Sequence, residues 1–185
     1  ALEGLADRSV LVGDVMTDIC YRVRDSIELN PASSGWTAPV PEGAPYLIAT
    51  VHRAENTDDP DRLAAIIDAL RDLPVATVLT AHPRLTARAA SFGIDLTGGS
   101  LLLADPLPYP AMVAAVLGSS GVVTDSGGLQ KEAFLLNRPC TTLRTETEWV
   151  ETIEDGWNIL DPDLSQVRSV ALRLEPTTSK SSPYG

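Results

Sequence analysis

This chain is poor in the residues that usually commit a protein to particular chemistry. It holds two cysteines and two histidines in 185 residues. Cys20 and Cys140 lie far apart, one in an apparent helix and one in an apparent strand. They read as two reduced, buried thiols of a cytoplasmic protein, not as a disulfide framework. His52 and His82 form no short-spaced ligand pair, so no metal site is expected, and no other cofactor is implied. Nothing approaches the ~20 apolar residues that cross a bilayer as a helix, so no membrane association is expected. The opening Ala-Leu-Glu-Gly-Leu-Ala-Asp-Arg has no initiator Met and neither the basic start nor the apolar core of a signal peptide. Positive charge is scarce too: 14 Lys and Arg against 25 Asp and Glu give a net charge of −11. That balance argues against nucleic-acid binding and favours solubility. It does not exclude a small anionic ligand, because helix dipoles and a few cations decide that locally. The cluster Asp58-Asp59-Pro60-Asp61 reads as a solvated helix start. There is no internal repeat.

What remains is an alternation of apolar runs and helical patterns. Strands are expected at Ser9–Val12, Tyr46–Val51, Val75–Thr80, Ser100–Ala104, Gly121–Thr124 and Cys140–Leu143. Several are almost continuously apolar, as in parallel sheets covered on both faces. Between them, Val15, Ile19, Val23 and Ile27 step by four. Leu63, Ile66, Ile67 and Leu70 form an apolar stripe after Asp59-Pro60, an N-cap followed by proline at the first helical position. Tyr109, Met112, Val113 and Val116 form another stripe, ended by Gly118, and a last helix is expected over Leu164–Leu174. The pattern is βαβ-like and predicts an α/β fold with a Rossmann-like, doubly wound parallel sheet. One domain is expected over 1–176, with 30–45 as a Pro-rich surface connection and 177–185 as a polar, poorly ordered tail.

The most informative stretch is Thr124-Asp125-Ser126-Gly127-Gly128-Leu129-Gln130-Lys131-Glu132. It follows the run Gly121-Val122-Val123 and opens a helix. Gly127 and Gly128 let backbone approach a ligand closely. Their N–H groups, with the helix dipole, form an anion site, and Ser126 adds a hydroxyl donor. Ser126 is not in a Gly-x-Ser-x-Gly context, so it does not read as a nucleophile. Glu132, about one turn in, can accept two hydrogen bonds from a sugar diol. Phosphate plus diol at a strand end means a nucleotide-linked substrate. His52 ends the run Tyr46–Val51, at the ligand edge of a parallel sheet, where an imidazole can hydrogen-bond phosphate. Arg53 can also face phosphate, although Arg53, Glu55 and Asn56 read first as residues that fix the loop. His82, after Val75–Thr80, is open between a pocket wall and a loop role.

These segments resemble the non-hydrolysing UDP-N-acetylglucosamine 2-epimerases in three places. Besides the Asp-Ser-Gly-Gly stretch, Thr50-Val51-His52-Arg53-Ala54-Glu55-Asn56 is similar to the family's Thr-x-His-Arg-x-Glu-Asn signature. Arg144-Thr145-Glu146-Thr147-Glu148-Trp149-Val150-Glu151 is similar to its Arg-x-x-Thr-Glu-x-x-Glu segment. Three matches in family order are far more specific than one. The likeness begins near Gly13 and covers the C-terminal half of the family, so both chain ends look cut. It implies the nucleotide-binding lobe of a two-lobed glycosyltransferase-B-like fold, with the N-terminal lobe missing and a homodimer in the complete protein.

The resemblance also implies roles. Ser126, Gly127 and Gly128 hold the diphosphate of UDP, and Glu132 holds the ribose hydroxyls. His52 is the catalytic group that stabilises departing UDP. The loop of Arg144, Glu148 and Glu151 faces sugar and diphosphate. Asp105-Pro106-Leu107-Pro108-Tyr109 resembles the loop against which uracil packs, with Met112 as a further base contact. Where many relatives have Thr-Glu-Arg-Pro-Glu, this chain has Thr147-Glu148-Trp149-Val150-Glu151. Trp149 can pack on ligand or on the neighbouring helix. The reaction implied interconverts UDP-N-acetylglucosamine and UDP-N-acetylmannosamine, an isomerase activity of polysaccharide biosynthesis. UDP leaves as the C2 proton is removed, and adds back after reprotonation. The isolated chain is expected to bind UDP weakly and not to epimerise. The donor lobe of a UDP-sugar glycosyltransferase and a non-catalytic nucleotide-sugar-binding module are the alternatives.

Overall fold

A computed structural model describes residue 10, residues 13–176 and residue 184. Helix α1 (Val15–Leu29) is started by Asp14, whose carboxylate accepts from the Met16 and Thr17 N–H groups at 2.8 and 3.1 Å. A 3-10 turn, Pro31–Ser34, follows. Strand β1 (Tyr46–Thr50) leads into the single turn α2 (Ala54–Thr57) and then α3 (Pro60–Arg71). Asp59 caps α3 by accepting from Arg62 N–H at 2.8 Å, and Pro60 takes the first turn as the sequence suggested. Strand β2 (Ala76–Thr80) precedes α4 (Pro83–Phe92). That helix was not marked by the apolar period, but its punctuation is plain: His82 as cap, Pro83 in the first turn and Gly93 left-handed at φ 69°. Strand β3 (Leu101–Ala104), α5 (Tyr109–Gly118), β4 (Gly121–Thr124), α6 (Gly127–Leu135) and β5 (Cys140–Thr142) continue the alternation. It ends with α7 (Val150–Glu154), β6 (Asn158–Leu160) and α8 (Val167–Val170).

All strand pairings are parallel, in the order β3-β2-β1-β4-β5-β6. This is the doubly wound Rossmann order, and its direction reverses between β1 and β4. Helices cover both faces. On one side α3 and α4 bring Leu63, Ile66, Ile67, Leu70 and Leu85 against Leu47, Ala49, Leu79 and Val123. On the other, α1, α5 and α6 bring Cys20, Val113, Val116, Ala133 and Phe134 against Val122 and Cys140. Successive strand residues alternate between the faces, and each fully buried Leu or Ile contributes roughly 1.5–3 kcal/mol.

One expected element lies outside the described residues, one strand is additional and one helix is shorter than expected. The strand at Ser9–Val12 lies outside the described residues except for Val10, which is exposed and in no strand. Strand β6 was not anticipated, being short and opened by polar Asn158, whose amide oxygen accepts from Thr142 Oγ1 at 2.8 Å in the core. The last helix is one turn instead of Leu164–Leu174. Leu164 takes φ 60°, and buried Asp161 draws Ser165 Oγ (3.3 Å) and Gln166 N–H (3.0 Å) into a turn. Within 30–45, Trp36, Ala38 and Val40 pack against the core residues Tyr46, Ile48 and Val78. The expected polar tail lies outside the described residues apart from Tyr184.

Candidate functional site

The site forms where β1 and β4 end side by side, with Thr50 in register with Thr124 and their hydroxyls 2.5 Å apart. Chain direction diverges here, so the loops after the two strands part and leave a crevice. At its base lies Asp125, fully buried. Its carboxylate accepts from His52 N–H at 3.1 Å, Arg53 N–H at 2.9 Å and Asn56 Nδ2 at 3.1 Å. His52 Nδ1 is 3.1 Å from Asp125 Oδ1. Burial alone would raise the Asp125 pKa, but the bonds from His52, Arg53 and Asn56 outweigh it and hold the carboxyl below its ordinary range. Asn56 also donates to Leu143 O at 3.1 Å, which ties the end of β5 to the same point. Arg53 Nε donates to Asp125 O at 2.8 Å. The loop-fixing role read for Arg53 and Asn56 is thus visible, and its target is Asp125. Sequence reasoning missed that residue. The available signal was a carboxylate placed directly after a continuously apolar strand.

With Nδ1 facing Asp125, the His52 tautomer and ring plane are set, and Nε2 is left as the polar atom for another partner. Ser126 caps α6 by accepting from Leu129 N–H at 3.4 Å, and its own N–H donates to Thr124 Oγ1 at 2.9 Å. The unpaired N–H groups of the first turn therefore begin at Gly127 and Gly128, next to the crevice. A cleft of about 360 Å³ opens there. Its lining includes His52, Ser126, Gly128 and Glu132 together with His82, Leu107 and Met112. His82 takes both roles left open for it: Nδ1 accepts from Arg84 N–H at 3.1 Å, and the ring lies 5.4 Å from that of His52. Glu132 is no solvent-facing carboxylate. Burial raises its pKa, partly offset by a hydrogen bond from Tyr109. A half-desolvated carboxylate of this kind binds hydroxyl donors strongly.

The remaining candidates flank the cleft instead of lining it. Arg144, largely buried, is held by Glu148 through two bonds of 2.9 Å and lies 3.8 Å from Glu55. Arg53 reaches to 3.9 Å from Glu148. The Arg144 hydrogen bonds, helped by Arg53, bring the Glu148 carboxyl down to about 2. This pair sits beside Gly127: a Cβ placed there would be 3.1 Å from Glu148 Oε2. Trp149 Nε1 donates to Gly127 O at 2.7 Å, so the indole is spent on the neighbouring helix. Among the described residues no cluster of His, Cys, Asp and Glu could hold a metal ion, and no helix is long and apolar enough to cross a membrane.

A helix start with free N–H groups, a carboxylate one turn in and an imidazole on the adjoining strand end thus meet at one edge of a Rossmann-like parallel sheet. Residues 2–185 match the family model of UDP-N-acetylglucosamine 2-epimerase, and the chain belongs to that family. It is 39% identical over 163 residues to the UDP-2,3-diacetamido-2,3-dideoxy-D-glucuronate 2-epimerase of Pseudomonas aeruginosa, covering 85% of this chain and 43% of that one. It is 29% identical over 194 residues to the UDP-N-acetylglucosamine 2-epimerase of Methanococcus maripaludis, covering 99% and 53%. Among solved structures, the Methanocaldococcus jannaschii UDP-GlcNAc 2-epimerase in complex with UDP-GlcNAc and UDP aligns with a TM-score of 0.81 at 27% identity, over 97% of this chain and 51% of that one. The chain spans about half the length of the relatives it matches.

Proposed function

We propose that this chain is the UDP-binding half of a UDP-N-acetylglucosamine 2-epimerase. The observation that carries the reading is the convergence of His52, the Ser126–Gly128 helix start and Glu132 on one cleft. Ser126 Oγ and the first-turn N–H groups take the diphosphate, Glu132 the ribose hydroxyls, and Leu107 and Met112 the base. The C2–H of the sugar is not acidic, so inversion proceeds by elimination. A base removes the C2 proton while the C1–O bond to UDP breaks, giving a 2-acetamidoglucal. Proton return on the opposite face and re-addition of UDP complete the exchange. This half serves the leaving group: His52, oriented by Asp125, hydrogen-bonds the departing diphosphate, with the positive end of α6 beside it. The groups that move the C2 proton belong, on this reading, to the other lobe of a glycosyltransferase-B-like protein, which acts as a cytoplasmic homodimer.

The test is incubation of the intact gene product with UDP-N-acetylglucosamine in deuterated water. Deuterium at C2 of a UDP-linked product supports the assignment. Free N-acetylmannosamine would mean hydrolysis instead, and transfer to an acceptor would mean a glycosyltransferase. The chain alone is expected to bind UDP without turnover. A second substrate is favoured by the 39% identity to an enzyme named for UDP-2,3-diacetamido-2,3-dideoxy-D-glucuronate, so both sugars belong in the assay.

A further inference from the structure

Lys131 takes no part in the cleft, yet it is the largest fully buried side chain described. Its ammonium pairs with the carboxylate of Asp14. It lies 4.5 Å from the ring centre of Trp149 and 4.1 Å from that of Tyr184. The two rings meet edge to face at 5.7 Å and 85°. A cation removed from water needs full replacement of its hydration, and here one carboxylate and two π faces provide it. These partners come from the cap of α1, the loop after β5 and the C-terminal segment, so the ammonium gathers distant parts of the chain onto α6.

One of them touches the nucleotide-binding turn. Trp149 stands over Lys131 while its Nε1 donates to Gly127 O at 2.7 Å. The loop that carries it is pinned as well: Trp149 N–H donates to Thr147 Oγ1 at 3.1 Å, and that hydroxyl donates to Gln130 Oε1 at 2.6 Å. A trans peptide is planar, with its C=O and N–H pointing in opposite directions. Holding the Gly127 carbonyl therefore aims the Gly128 N–H toward the start of the helix, where an anion is bound. Gly127 and Gly128 lack the side chains that would otherwise restrain this peptide, so an external hold has something to do.

We propose that Lys131 is a positioning residue for the diphosphate-binding turn, acting through Trp149. The proposal rests on the reading of α6 as the UDP site. Without the ammonium, the indole loses the charge it stacks on, and the Gly127–Gly128 peptide gains freedom that UDP must then remove. The Arg144–Glu148 bonds do not involve Lys131, and Trp149→Phe tests the contact without any change of charge.

UDP binding by the chain is measured calorimetrically for wild type, Lys131→Met, Trp149→Phe and the double variant, with melting followed by circular dichroism. Lys131→Met keeps length and packing while removing charge, and Trp149→Phe removes the N–H while keeping a ring over Lys131. Each single change is expected to raise the UDP Kd about tenfold, equivalent to ~1.4 kcal/mol. The double variant is expected to resemble the singles, not to reach about a hundredfold, because both act on one contact. Lys131→Met should also shift Trp149 emission, tested against Trp149→Phe as the spectral reference. Folded single variants with a Kd within about twofold of wild type, or effects that add, overturn the proposal. Should Lys131→Met fail to fold, Trp149→Phe decides alone: an unchanged Kd overturns it. Failure of the wild-type chain to bind UDP would instead overturn the site assignment on which the proposal stands.

Discussion

Replacing Asp125 by Asn tests the centre of the site. The native carboxylate is fully buried and faces two backbone N–H groups, the Asn56 amide and the His52 ring nitrogen, all at 2.9–3.1 Å. Asparagine keeps one oxygen and turns an NH2 group toward donors, so at least one bond to a charged acceptor is lost and one donor is left opposed. At ~1.5–3 kcal/mol for each such bond, the net loss is about 3 kcal/mol. For a chain of 185 residues, ~2–4 °C per kcal/mol puts the fall in Tm at about 6–12 °C. Thermal unfolding at pH 7, followed by circular dichroism, reads it directly. The pH dependence supplies a second check. Asp125 titrates below its ordinary 3.8 in the fold. Its stabilisation is therefore complete above the unfolded value and is lost as pH falls through the folded one. The gap between wild type and Asp125→Asn should be widest near neutrality and narrow in acid. A Tm shift under about 2 °C at pH 7, or a gap that widens in acid, would refute the reasoning.

Other outcomes follow from single features. Glu132→Ala should raise the UDP Kd about tenfold and abolish discrimination between UDP and its 2′-deoxy analogue, measured by calorimetry. Gly121→Ala puts a Cβ 2.9 Å from Ala171 O and 3.1 Å from Pro139 O. An overpacking cost of ~1–3 kcal/mol should show in urea unfolding; an unchanged midpoint would mean that the α8 turn gives way freely. Burial pushes the Cys140 thiol up to about 12, and Cys20 is equally inaccessible. Neither should react with an aromatic disulfide reagent at pH 8 until urea unfolds the chain, and rapid labelling of native protein would contradict the packing.

Legibility differed from element to element. Strands β1, β2 and β4 could be read because sheets covered on both faces demand unbroken apolar runs, and the observed ends differ by a residue or so. Strand β6 could not, since its Asn158 is polar for a local reason, the hydroxyl of Thr142. Leu164–Leu174 had helical spacing, but Asp161 offered the backbone a competing turn. At the site, His52, Ser126 and Glu132 line one cleft. Asp125 carries no local signal of which groups it holds. Its partners lie 69–73 residues away, and local pattern cannot announce a contact of that reach. Lys131 looks like an ordinary helix-surface lysine until Asp14, Trp149 and Tyr184 close over it.

The pairing of β1 with β4 joins segments far apart in the chain, across two intervening β–α units. The cleft at their ends therefore depends on a long-range contact. Bringing His52 beside Ser126 requires that central pair to close, a step that carries the loop entropy of everything between. If the cleft is the UDP site proposed above, an unfolded or half-zipped chain offers the nucleotide nothing to hold. Bound nucleotide should thus bear on the whole lobe, raising its stability as RT ln(1 + [L]/Kd). Metabolite concentration then becomes a term in the abundance of the protein as well as in its occupancy.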